Sequence, residues 1–119
     1  MDKPSADGAV WKLHMTASVI ADVQYERERQ KQIEGWTPEH DAQHADGELA
    51  KAAACYALAT AKINGCVMWP WDWSWWKPKT RRRDLVRAAA LIIAEIERLD
   101  IAALEFHGPK ISQRREATP

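Results

Sequence analysis

Three groups of side chains stand close enough along the chain to act together. His40, Asp41, His44, Asp46 and Glu48 bring imidazoles and carboxylates into one short run. On an uninterrupted helix His40, His44 and Glu48 recur at four-residue intervals along one face, a spacing that offers nitrogen and oxygen ligands to a divalent metal. Gly47 interrupts the run, and the Glu of a His-Glu-x-x-His motif is missing, so a zinc-protease reading has no support. The same residues also suit a polar helix start whose histidines hydrogen-bond to neighbouring acids.

The second group is Arg81-Arg82-Arg83-Asp84. A helix start carries partial positive charge and unpaired N–H groups, so three cations there are electrostatically misplaced by a few tenths of a kcal/mol each. Arginines at such a place can bind phosphate or carboxylate, with adjacent indoles as a stacking surface for a base. Alternatively they pair with Asp72, Asp84 or other acids, or face solvent. The third group is Glu26-Arg27-Glu28-Arg29-Gln30, whose charges can pair along a helix, while Arg27 and Gln30 can line a polar pocket. Beside none of the candidate nucleophiles does the sequence place a base; Cys55 lies on an alanine-rich helix face, as packing rather than a reactive thiol.

The elements that must position these groups are helices. Residues 1–14 read as a loose arm, to which Pro4 and Gly8 contribute, pinned at most by Trp11 and Leu13. Thr16 or Ser18 can cap a first helix running to about Glu34 and stopping at Gly35. Its stripe begins apolar, with Val19, Ile20 and Val23, then turns to Glu26, Arg27 and Gln30, so it either leaves the core or enters a polar cleft. Thr37-Pro38-Glu39 makes a good helix start, with a break allowed at Asp46-Gly47. Beyond it Leu49, Ala52, Ala53, Tyr56, Ala57 and Thr60 form a small-residue face, ended by Asn64-Gly65.

Trp69-Pro-Trp-Asp-Trp-Ser-Trp-Trp76 then holds five of the seven tryptophans. If extended, Trp69, Trp71, Trp73 and Trp75 share one side. Each indole carries roughly 150–250 Å² of buriable surface and an N–H that needs a partner, so something must cover the run. Thr80 caps a last helix with Leu85, Ala88, Ala89, Ile92, Ile96 and Leu99 at core spacing. Val86, Ala90, Leu91 and Ile93 widen that stripe, as in a helix that is central or shared between subunits. Residues 107–119 read as a basic, disordered tail. The expected fold is all-α: three main helices with an extended tryptophan-rich connection before the last, packed as a small bundle or homo-oligomer, in one domain over residues 15–106.

The 119 residues carry 17 basic and 17 acidic side chains, so no bulk field selects nucleic acid as a partner. Cys55 and Cys66 are too few for a disulfide framework or a complete zinc site and read as free thiols of a reducing cytosol. No stretch approaches the roughly 20 apolar residues of a membrane span. The N-terminus has no basic region followed by an apolar core, so export is not expected.

The motifs Glu26-Arg-Glu-Arg-Gln30, Gly35-Trp-Thr-Pro-Glu-His-Asp41, His44, Gly47-Glu-Leu-Ala50, Trp69-Pro-Trp-Asp72, Trp75-Trp-Lys-Pro78 and Arg82-Arg-Asp-Leu-Val86 resemble a group of small bacteriophage and prophage proteins. That resemblance runs from about Glu26 to Asp100; more weakly, through an Arg-Gln pair, a Trp with Gly, a His, the Gly47-Glu-Leu-Ala50 helix and a long last helix ending in Ile96-Glu-Arg-Leu-Asp100, the chain is similar to all-α nucleotide pyrophosphohydrolases of the MazG-like type. Those enzymes hold magnesium with a Glu-Glu-x-x-Glu motif and a later Glu-x-x-Asp motif. Here only Glu48 stands at the first, followed by Leu49, Ala50 and Lys51, and Arg83-Asp84 offers no paired acids at the second. With so few carboxylates, two-metal phosphate chemistry loses its ligands.

What the resemblance implies is a phage accessory protein in the cytoplasm of an infected or lysogenic bacterium. It would bind a nucleotide or nucleotide-derived anion without hydrolysis, countering host defence signalling. Its expected ligand residues are Arg27, Gln30, Trp36, Trp75, Trp76, Arg82 and Arg83. The alternatives are a pyrophosphohydrolase using a divalent metal at His40, Asp41, His44 and Glu48, and an interaction module whose tryptophans dock a host or phage protein or a second copy of the chain.

Overall fold

The computed structural model describes residues 4–59 and 68–107, with side chains from 12 to 59 and from 68 to 105. Among these the fold is all-α: α1 (Pro4–Gln32), α2 (Pro38–Asp41), α3 (Glu48–Leu58), a 3-10 turn at Trp73–Trp75, and α4 (Arg81–His107). The three main helices are α1, α3 and α4, with α4 in contact with each of the others. The ends of the chain past His107 and before Pro4 lie outside the described residues, as does the Asn64-Gly65 stop.

The core is the seam between α3 and α4. Leu49, Ala52, Ala53, Cys55 and Tyr56 face Ala88, Leu91 and Ala94, joined by Trp69 from the connection. Alanines at this spacing let two helix backbones approach closely, and of the small-residue face expected on α3, Leu49, Ala52, Ala53 and Tyr56 are buried and Ala57 partly so, while Thr60 lies outside the described residues. Cys55 in this cluster is disulfide-bonded, not the free thiol expected from cysteine count; Cys66 lies outside the described residues.

α4 presents its apolar surface differently from the expectation. Ala88, Ala90, Leu91 and Ala94 are buried, while Leu85, Ile92, Ile96 and Leu99 are 41 to 52% exposed on the other side. The helix is apolar nearly all round, so spacing alone does not decide which stripe its neighbours take. Size does: the alanine side admits α3 closely.

α1 inverts its expected pattern more completely. It begins at Pro4, a residue whose fixed φ suits a first helical position, and runs through Thr16 and Ser18 without a break. Residues 4–14 thus belong to the same helix as 15–32. Every side chain from 12 to 22 is exposed, Val19 and Ile20 included, whereas Glu26, Arg27 and Gln30 are almost wholly buried. The helix meets the body of the fold through its polar half. Gly35, at φ +79°, turns the chain after it.

The tryptophan segment is bent, not extended. Asp72 accepts a hydrogen bond from Ser74 N (2.8 Å), and Trp75 N and Trp76 N reach back to Asp72 O and Trp73 O (3.0 Å each). This turn breaks the period-two alternation. Trp69 goes into the core and donates its indole N–H to Asp72 O (3.1 Å), Trp71 and Trp76 pack partly against it, and Trp73 and Trp75 stay 57 and 49% exposed.

Candidate functional site

The histidine run is not one helix. Thr37 caps α2, accepting from His40 N through Oγ1 (3.2 Å), with Pro38 at the first helical position. α2 lasts one turn, His44 N bonds back to Asp41 O (2.9 Å), and Gly47 at φ +83° lets α3 start in a new direction. The break expected near Asp46-Gly47 is thus present, yet it gathers the ligand groups instead of scattering them. One ligand atom from each of His40, Asp41 and His44 lies within 4.8 Å of the other two. Glu48 stands apart, its carboxylate 4.0 Å from His44 Nδ1 and its other oxygen accepting from Asp46 N.

These three residues form one wall of a cavity of about 330 Å³, lined also by Glu34, Trp36, Leu49, Trp71, Asp72 and Trp75. The rings sit in a chain of contacts: His40 edge-on to His44 at 5.3 Å, His44 to Trp71 at 5.3 Å, and Trp71 to Trp36 at 5.9 Å. No Lys or Arg lines this cavity; its ionisable groups are three acids and two histidines.

Beneath it, Arg27 fastens four parts of the fold. Its guanidinium donates to Glu97 Oε1 on α4 (2.9 Å), Trp36 O in the α1–α2 turn (2.9 Å) and Asp41 Oδ2 on α2 (3.2 Å). The five fixed donors of arginine suit such a junction. Asp41 is 1% exposed, and its second oxygen faces His40 Nδ1 at 3.3 Å. Burial pushes the Asp41 carboxyl above its ordinary value, against the pull of His40 and Arg27. Burial, then the charge of His40, holds the His44 imidazole below its ordinary value, so it is neutral at pH 7.

The arginine run lies elsewhere. A second hollow of about 310 Å³ is lined by Asp22, Tyr25, Glu26, Arg29, Arg82, Arg83 and Val86. Buried Glu26 accepts two hydrogen bonds from Arg29 (2.9 and 3.0 Å) and one from Gln30 Nε2 (3.2 Å), and Arg83 reaches it at 2.8 Å. Burial would raise the Glu26 carboxyl, but Arg29 and Arg83 outweigh it and hold it low. Arg82 pairs with Asp22 at 2.6 Å on the surface, and Arg81 donates to Ala57 O, one of the last carbonyls of α3. Each arginine of the run therefore has an internal acceptor, and Asp84 turns inward to accept from Lys79 N (2.8 Å).

Of the ligand residues expected from sequence, Trp36 and Trp75 share the first cavity with His40, Asp41 and His44. Arg27 touches that cavity only through Asp41 and the Trp36 carbonyl. Gln30 is fully buried, Trp76 packs on Tyr56 and Trp69 in the core, and Arg82 and Arg83 line the other hollow. Glu34, Trp71 and Asp72 line the first cavity and are not among the expected residues. The signal for Asp72 was its place two residues before Ser74, an Asx-turn spacing that aims the segment. No protein-family model, curated protein or solved structure matches the chain.

Proposed function

We propose that the chain is a small-molecule binding protein that holds a nucleotide or nucleotide-derived ligand, without hydrolysing it, in the cavity between α2 and the tryptophan segment. The observation that carries this reading is the cavity's wall: three indoles and two imidazoles around a space of about 330 Å³, with carboxylates among them. That volume lies at the small end of ligand pockets, roughly 300–1,000 Å³. Indole faces stack on any base, worth about 1–3 kcal/mol per base, and carboxylates such as Glu34 and Asp72 accept from the N–H edge of a base. Binding is favoured over hydrolysis because a single carboxylate, Asp41, stands with the histidines, whereas two-metal phosphoryl chemistry needs several. In a phage-encoded protein such a pocket would withdraw a nucleotide signal from the host cytoplasm.

The test is intrinsic tryptophan fluorescence over a panel of mono-, di- and cyclic nucleotides. Saturable quenching by some of them, abolished in Trp71→Ala and weakened in Trp75→Ala, is expected. A flat response across the panel refutes the proposal.

A second reading concerns the opposite side of α4. Leu85, Ile92, Ile96 and Leu99 follow alternating spacings of seven, four and three residues along one exposed face, the seam geometry by which helices pair. It supports a homo-oligomer built on α4. Light scattering checks it: a mass above one chain is expected, falling to one chain in Ile92→Glu.

A further inference from the structure

The indole cavity poses an electrostatic problem for the ligand assigned to it. A nucleotide is an anion, yet Glu34, Asp41 and Asp72 line the cavity and no Lys or Arg does. The nearby arginines are committed elsewhere: Arg27 to Glu97, Asp41 and Trp36 O, Arg29 to Glu26 and Glu34, Arg82 to Asp22, Arg83 to Glu26. With those cations facing away, the cavity wall itself offers an anion no counter-charge.

Its cation-binding groups are already assembled. His40, Asp41 and His44 each offer one atom, all within 4.8 Å of one another, on a wall of the cavity rather than scattered over the surface. Asp41 is held in place from behind by Arg27 Nη2 on one oxygen (3.2 Å), leaving the other toward the histidines. Glu48, 4.0 Å from His44 Nδ1, adds a carboxylate beside the site without a hydrogen bond to it. The alternative occupant of this space is a proton shared between His40 Nδ1 and Asp41 Oδ1. At 3.3 Å that contact is longer than an ordinary N–H···O bond of about 2.9–3.0 Å. A metal ion replaces such a proton by taking the nitrogen lone pair and the carboxylate oxygen together.

We infer that His40, Asp41 and His44 bind one divalent metal ion of the zinc, cobalt and nickel class, with its remaining coordination positions open to the indole-walled cavity. Two nitrogens and one oxygen suit those metals; magnesium and calcium need oxygen ligands in greater number. Three protein ligands with open positions are the pattern of a site that takes an external ligand, not of a closed structural site. The ion supplies that counter-charge and accepts the anionic group of whatever lies among the indoles. That last step rests on the nucleotide reading above; the metal site itself does not.

The experiment uses the full chain without an affinity tag, stripped with chelator, and titrates it with Co²⁺ alone, then Zn²⁺. Expected are one Co²⁺ per chain with visible d–d absorption, its displacement by Zn²⁺, and an affinity at least about tenfold lower in His44→Ala and in His40→Ala. Circular dichroism establishes that each variant is folded; His40 is on the surface, so His40→Ala keeps the test available if His44→Ala does not fold. Absence of saturable binding, or equal binding in folded variants, overturns the inference. Repeating the nucleotide titration with and without Zn²⁺ separates the two proposals. Metal binding with no nucleotide response leaves the metal site standing and sinks the nucleotide reading. Quenching that is indifferent to metal removal overturns the metal's part in holding the anion.

Discussion

Two hollows among the described residues are nearly equal in size, about 330 and 310 Å³, and share no lining residue. Both contain residues whose types suggest chemistry. In the hollow beside Arg83 the cations and acids answer one another: Glu26 is surrounded by Arg29, Gln30 and Arg83, and Arg82 by Asp22. In the cavity over His40 the acids are paired from outside the space, Glu34 with Arg29, Asp41 with Arg27 and Asp72 with Ser74 N, and no Lys or Arg stands on the walls. A cluster whose cations and acids face each other across one hollow holds helices together, whereas walls of indole, imidazole and carboxylate with their cations behind them leave faces that a ligand can meet. Composition distinguishes the two less well than the direction of pairing does.

The largest expected effect tests whether Arg27 belongs to structure or to ligand. Breaking a buried ion pair by removing one partner costs about 3–5 kcal/mol, because the other charge is stranded. Arg27→Ala strands Asp41 and frees Trp36 O, so urea unfolding should show a loss of that order. A loss under about 1 kcal/mol would mean the clasp between α1, α2 and α4 is not what fixes the cavity floor.

On the ligand side, Trp75→Ala should separate binding from folding. Trp75 is 49% exposed and lines the cavity, and the hydrogen bond it takes from Tyr56 Oη goes to its backbone carbonyl, which the substitution keeps. Affinity for the quenching nucleotide should fall by about 1–3 kcal/mol, with stability changed by no more than about 0.5 kcal/mol. Equal losses in both would return Trp75 to the packing.

Acid should reach the two regions at different pH. Burial and His40 lower the pKa of His44 from 6.5, so its neutral ring stabilises the fold above 6.5 and that contribution is lost as pH falls from there through the lowered value. Glu26 is lowered from 4.5, its burial outweighed by Arg29 and Arg83, and its contribution is lost only as pH falls below 4.5. Asp41, raised by burial, runs the other way and recovers stability on protonation. Stability measured by urea unfolding at successive pH values should therefore decline in two stages. His44→Gln should remove the upper stage and leave the lower; an upper stage that survives the substitution assigns it to another group.

How much of this was readable in the sequence depends on what each element packs against. The α3 face and the Thr37 and Thr80 caps were legible, because small residues at helical spacing and a capping hydroxyl have few alternatives. α1 was not: Val19 and Ile20 look like core and lie in solvent, since what buries Glu26, Arg27 and Gln30 is ion pairing to α2 and α4, distant in sequence. The metal-spaced residues were found by a continuous-helix argument, and they converge through a turn that argument did not contain. Trp71 was hidden by excess, one indole among five, until the Asp72 turn chose which rings face the cavity. The arginine run was ambiguous, because three cations at a helix start suit a ligand and also suit acceptors on α1 and α3 that the sequence does not place beside them.

The smallest expected effect is therefore at Arg82, and it cuts deepest between the two hollows. Arg82 is 65% exposed and pairs with half-exposed Asp22 at 2.6 Å, a surface contact worth no more than about 1 kcal/mol after side-chain ordering and salt screening. Arg82→Ala should leave both the unfolding curve and the nucleotide titration close to those of the unaltered chain. The outcome is informative because a phosphate seated on the arginine run would need this guanidinium, freed from Asp22, and would lose affinity sharply without it. Unchanged quenching in Arg82→Ala, beside weakened quenching in Trp75→Ala, places the ligand over His40. The reverse pattern moves it to the hollow beside Arg83 and makes the Asp22 pair a gate instead of a brace.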